Sequence, residues 1–213
     1  MEEKQIYDLK SLKKMILGLI FVLNLRNVLD VLDVDFSSMK VICGVLEILG
    51  WIFIDFGLRD IRKYSKFNKC YMSAMWMFGI YVGSIIIVFI SSVISYEFLN
   101  KAVIMVYILI FSVAEVIFFY YLLKSIEEIA LQLEEKNFAK MPYMIFIVFS
   151  CTVFVNICIT ISLTTIFSVE ENVINMTKIA TVIICAIVYA FIYLAYKKLD
   201  GREIPNLAMR ENN

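Results

Sequence analysis

The 213 residues include no histidine, only two prolines, and five cysteines with no C-x-x-C pair among them. Without imidazole, the Ser-His and Cys-His couples that activate a nucleophile cannot be assembled. The usual zinc and haem ligand sets disappear for the same reason. Neither the Walker A nor the Rossmann glycine spacing is present. The chain is therefore expected to be no enzyme and to carry no metal and no cofactor. Lys plus Arg and Asp plus Glu number 20 each, for a net charge of zero, so there is no basic excess with which to hold a nucleic acid. Cys43, Cys70, Cys151, Cys158 and Cys185 all lie in apolar runs, which predicts buried, apolar side chains rather than a disulfide framework. No glycine occurs between Gly83 and Gly201. With so few prolines, that leaves little sign of the paired broken helices of secondary transporters.

What the chain has in excess is apolar surface: 62% of its residues are hydrophobic and only 19% are charged, and the mean hydropathy is +0.83. A chain this size cannot hide so much in its own interior, so part of its solvent is lipid. Residues 70–96 and 141–169 contain no charge at all, and each run exceeds the ~20 residues that carry a helix through the hydrocarbon core. The expected architecture is all-α: one polytopic membrane domain over residues 1–213 with six crossings at 15–34, 41–58, 70–96, 102–123, 142–168 and 179–196. Ile126, Ile129, Ala130 and Leu133 follow the i, i+3, i+4, i+7 pattern among acidic residues, which predicts an amphipathic extension over 124–140 on the cytoplasmic side. Pro142 suits the first turn of the helix that follows.

The first crossing is the weakest, because its apolar run is short and then mixes with Arg26, Asp30 and Asp33. A cleaved signal peptide would need a small-residue cleavage site, and none follows. A surface-lying helix is the other alternative. The distribution of basic residues decides between them. With six crossings and both ends cytoplasmic, 16 of the 20 Lys and Arg residues lie inside, a strong positive-inside bias; five crossings reduce this to 12 of 20.

A charge inside lipid costs about 2.5 to 3.5 kcal/mol on insertion scales, so any that remain must be paired, neutralised or turned to a cavity. Glu47 and Glu115 are the two carboxylates so placed, about 4 Å to either side of the midplane at ~1.5 Å per residue. Arg26 falls at the depth of Glu47, and the two are expected to pair. Thr152, Asn156 and Thr160 form one helix face and are expected to hydrogen-bond Glu115. Packing is the favoured role for these groups, and a proton or cation path is the functional alternative. Asp55 and Arg59, one turn apart, are expected to pair or to snorkel to the cytoplasmic interface. Gly50 with Gly57, and Gly79 with Gly83, predict close helix packing, a homodimer seam being the alternative.

Residues 46–59, with Gly50 before an aromatic, then an aliphatic run closed by Gly57, Leu58 and Arg59, resemble a segment of an uncharacterised family of small multi-pass membrane proteins of low-GC Gram-positive bacteria. The resemblance implies a bacterial cell membrane and no known activity. The expected role is that of a non-enzymatic structural, sensor or partner-binding subunit, with a small proton- or cation-linked transporter or channel as the alternative. Its expected partners are the lipid bilayer and a second copy or another membrane protein.

Overall fold

The structure, a computed structural model, describes residues 6–24, 40–94, 97–164 and 171–203. They form helices α1 (Leu12–Leu19), α2 (Lys40–Ile61), α3 (Asn68–Ile94), α4 (Glu97–Gln132), the short α5 (Lys136–Ala139), α6 (Met141–Thr164) and α7 (Glu171–Leu199). A π-helical turn, Ile20–Asn24, continues α1, and a 3-10 turn, Ser65–Phe67, leads into α3. No strand is found among the described residues; the one isolated bridge joins Ile6 to Glu203. The expected crossings at 15–34, 70–96 and 142–168 each run partly outside the described residues, and Arg26 lies there too.

Three stretches, Met105–Gln132, Lys136–Ile159 and Val173–Leu199, are long and apolar enough to cross a membrane. Only 17% of the apolar window in Lys136–Ile159 is buried within the fold, and Phe154 and Met176 lie largely exposed. A helix in water turns its apolar stripe inward. These helices expose apolar side chains over much of their surface, which suits a hydrocarbon surround. Cys70 and Cys185 are buried as the sequence suggests, whereas Cys151 and Cys158 are exposed on α6; in an apolar surround a thiol needs no interior.

Each long helix packs on its neighbour in the chain: α1 on α2, α2 on α3, α3 on α4, α4 on α6 and α6 on α7. Helix α7 returns to α1, and the ring closes. The tightest seam is between α1 and α2. A Cβ added at Gly57 would stand 2.9 Å from the Met15 nitrogen and the Ser11 carbonyl oxygen, and one at Gly50 would stand 2.9 Å from the Gly18 carbonyl oxygen. At Gly18 it would run into the Gly50 carbonyl and Ile54. Small residues here let two backbones touch. The close contact expected at Gly79 and Gly83 is not found: a Cβ at either meets nothing within 4 Å among the described residues.

Helix α4 is 36 residues long, about 54 Å at 1.5 Å per residue, far more than a bilayer core needs. Its last turns bury Ile126, Ile129 and Ala130. It ends where Glu134 takes φ 61°, with Glu135 N–H donating to the Ala130 carbonyl and Glu134 N–H to that of Leu131. This is a Schellman cap holding a glutamate where glycine is usual, at a backbone cost of roughly 1–2 kcal/mol.

At this end of the ring the first and last described segments are stitched together. Tyr7 N–H donates to the Arg202 carbonyl at 2.9 Å and Gly201 N–H to the Tyr7 carbonyl at 2.7 Å, while Leu9 N–H donates to Asp200 Oδ1 at 2.7 Å. The Tyr7 hydroxyl donates to Gln132 Oε1 at 2.6 Å, and Asp8 N–H donates to the Tyr64 hydroxyl. Ion pairs Lys14 to Asp60, Lys66 to Glu128 and Lys198 to Glu135 lie at the same end. The Asp55 to Arg59 pair also forms, at 2.6 Å.

The Ser11 hydroxyl and then Lys14 hold the Asp60 carboxyl below its ordinary value of 3.8. A hydrogen bond from Lys198, with Arg202 nearby, holds Glu135 below 4.5. Both folded values lie beneath the unfolded ones, so these ties are complete above the usual carboxylate range and fade as pH falls through the lowered values. Both carboxylates are partly exposed, so salt weakens their ion pairs as well. The thermal midpoint is expected to fall on acidification below about pH 4, and Asp60→Asn should flatten that fall when the two proteins are melted side by side across the range.

Candidate functional site

Helices α4, α6 and α7 line a cavity of about 160 Å³, with Val22 from the π-helical turn also in its wall. At ~30 Å³ per water it has room for about five. Glu115 and Ser112 enter it from α4, Thr152 and Asn156 from α6, Thr181 and Cys185 from α7. Each pair sits three or four residues apart, so every helix presents two polar side chains on one face. Phe111, Phe149, Val153 and Ile184 complete the wall.

The hydrogen bonds in the wall determine what it offers. Thr152 donates its hydroxyl proton to the Val148 carbonyl at 2.9 Å, and Thr181 donates to that of Thr177 at 2.8 Å. Such back-bonding to residue i−4 occupies the hydroxyl proton and leaves the oxygen to act as an acceptor. Asn156 Nδ2 donates to Thr181 Oγ1 at 2.9 Å and ties α6 to α7. Glu115 receives no hydrogen bond or ion pair from any described residue, and no Lys or Arg lines the cavity. The site is therefore rich in oxygen acceptors and carries one carboxylate without a cationic neighbour among the described residues, a donor set that suits a proton or a hard cation. Among the described residues there is no group of three His, Cys, Asp or Glu side chains that would hold a transition metal.

Of the polar residues singled out by sequence, Glu115, Asn156 and Thr152 come together in this cavity. The hydrogen bond expected from the threonine and asparagine face to Glu115 is not made among the described residues: Asn156 turns to Thr181 instead. The side chain of Thr160 is outside the described set. Glu47 lies apart from them, on α2, and accepts the Tyr81 hydroxyl of α3 at 2.7 Å. The pairing expected with Arg26 falls outside the described residues. One turn on, Trp51 packs with tilted rings against Phe78 and Tyr81, with ring centroids 5.5 and 5.8 Å away, and its buried Nε1 has no hydrogen-bond partner among the described residues.

Sequence reasoning passed over Ser112 and Thr181. Ser112 stands one turn before Glu115, and Thr177 with Thr181 repeats the i, i+4 polar spacing of Thr152 with Asn156, so both were readable in principle. No local signal links Glu47 to Tyr81. Comparison of the chain with protein-family models, with curated proteins and with solved structures finds no match.

Proposed function

We propose that the chain is a non-enzymatic integral protein of the cell membrane, crossing six times with its stitched end on the cytoplasmic side, and that it takes up a proton or small monovalent cation at Glu115. The basic residues gathered at the stitched end support that orientation. One observation carries the functional reading: a carboxylate on a long apolar helix, with no cationic neighbour among the described residues, faces a cavity lined with oxygen acceptors, and on the six-crossing reading it stands near mid-membrane. A lone charge at that depth is costly. An entering cation would relieve that cost, and this differential binding is what a cation-linked transporter or sensor requires.

A ligand held at a hundred times its Kd stabilises the folded state by about 2.7 kcal/mol. Purified protein in detergent is therefore expected to melt higher as sodium or potassium is raised, or as pH is lowered while still above the range in which the Asp60 and Glu135 ties fade, and in proteoliposomes to pass the cation that stabilises it. Glu115→Gln should fold, melt above the unliganded parent because the costly charge is gone, and lose both responses. A Glu115→Gln protein that still responds to cations would defeat the assignment.

A partner-binding role has an observation of its own. A groove of about 560 Å³ runs along the elbow, with Leu131, Tyr143 and Met144 on its floor and Glu127, Lys136 and Lys140 at its rim. An amphipathic helix of another protein would fit that chemistry. On this reading Leu131→Arg would release a cross-linked partner and leave the cation response intact.

A further inference from the structure

The outer face of the ring carries a further concavity, of about 500 Å³, between α3 and α4. Its floor is apolar, with Met72, Trp76 and Ile80 from α3 facing Val113 and Ile117 from α4. Trp76 is 71% exposed, which for a large aromatic ring implies a cover of hydrocarbon rather than water. One end is different: Lys69 lies there, its Nζ 5.9 Å from the centre of the Tyr121 ring. Lys69 has no ion pair among the described residues, whereas Lys66 beside it is taken by Glu128.

Two dimensions agree. From Lys69 to Ile80 the helix rises about 16 Å at 1.5 Å per residue, and one leaflet of a ~30 Å hydrocarbon core is about 15 Å deep. The groove therefore runs from an interfacial cation to mid-membrane, the span of a single acyl chain below its headgroup. Lys69, in the first turn of α3, is the one charged residue among those that line the groove, and it lies on the side where anionic lipids collect. We infer that this groove holds one acyl chain of an anionic phospholipid, with Lys69 meeting the headgroup phosphate. The inference rests on the membrane reading, and failure of that reading would show separately, as a chain recovered in the soluble fraction without detergent.

The test is native mass spectrometry of the full chain in detergent with phosphatidylglycerol or phosphatidylcholine added. One phosphatidylglycerol per chain should be retained in preference to phosphatidylcholine. Lys69→Ala should weaken phosphatidylglycerol binding about fivefold, the contribution of one lysine at a membrane surface, and leave phosphatidylcholine unchanged. Val113→Trp, which fills the groove from an exposed position, should weaken both; Ile117→Trp replaces it if that protein does not fold. Equal retention of the two lipids, or retention unaltered by either substitution, would overturn the inference. So would a dimer that Val113→Trp dissolves, because a second copy would then be the occupant.

Discussion

Leucine at Gly18 or Gly57 is expected to leave no folded protein, whereas alanine at Gly79 or Gly83 is expected to be harmless. At the first two positions the neighbours are backbone atoms of the facing helix: the Gly50 carbonyl for Gly18, and the Ser11 carbonyl and Met15 nitrogen for Gly57. Backbone cannot swing aside as a side-chain tip can, so even Gly57→Ala should cost about 1 to 3 kcal/mol as overpacking. A leucine would force α1 and α2 apart. At Gly79 and Gly83 nothing lies within 4 Å among the described residues. Alanine there recovers helix propensity, up to about 1 kcal/mol per site. Thermal unfolding in detergent, followed by size-exclusion, compares these proteins directly. Equal destabilisation by Gly57→Ala and Gly79→Ala would mean that the α1 and α2 seam is not where the backbones meet.

Tyr7→Ala is the second large effect, expected at about 3 to 4 kcal/mol by analogy with truncation of other buried aromatic residues. Tyr7 is 4% exposed, and its ring centre is 5.1 Å from that of Tyr64. Its hydroxyl reaches Gln132, and its backbone is bonded to both Gly201 and Arg202. Alanine keeps the backbone bonds but empties the space between α4 and the loop before α3. Tyr7→Phe, which loses only the hydroxyl bond, should cost about 1 kcal/mol. Trypsin cleavage after Lys10 gives an independent measure: the alanine protein should be cut readily and the phenylalanine protein scarcely faster than the parent.

How far the sequence could be read follows from the range of each interaction. Helical periodicity and charge-free runs are local, so the long helices, the Asp55 to Arg59 pair and the amphipathic end of α4 were legible from spacing alone. The polar face of Thr152 and Asn156 was legible for the same reason, but its partner was not. Which neighbour Asn156 meets depends on the order of helices around the ring, and Thr181 on α7 stands closer to it than the sequence would suggest. Glycine spacing shows a smooth face without showing what lies against it, so Gly50 with Gly57 and Gly79 with Gly83 looked alike in sequence and differ in surroundings. The link from Leu9 to Asp200 spans 191 residues and left no trace in any local pattern.

That distance has a consequence for how the molecule is made. Residues 6–9 leave the ribosome long before the stretch that will hold them, by on the order of ten to forty seconds at ordinary rates of synthesis. Until then the pair formed by α1 and α2 inserts with one flank bare, because α7 has not yet been translated. The glycine seam can zip at once, since both its halves are early, while the stitch from Tyr7 to Gly201 must be the last to close. Assembly thus has a fixed order, in which a tight early hairpin waits for a late latch.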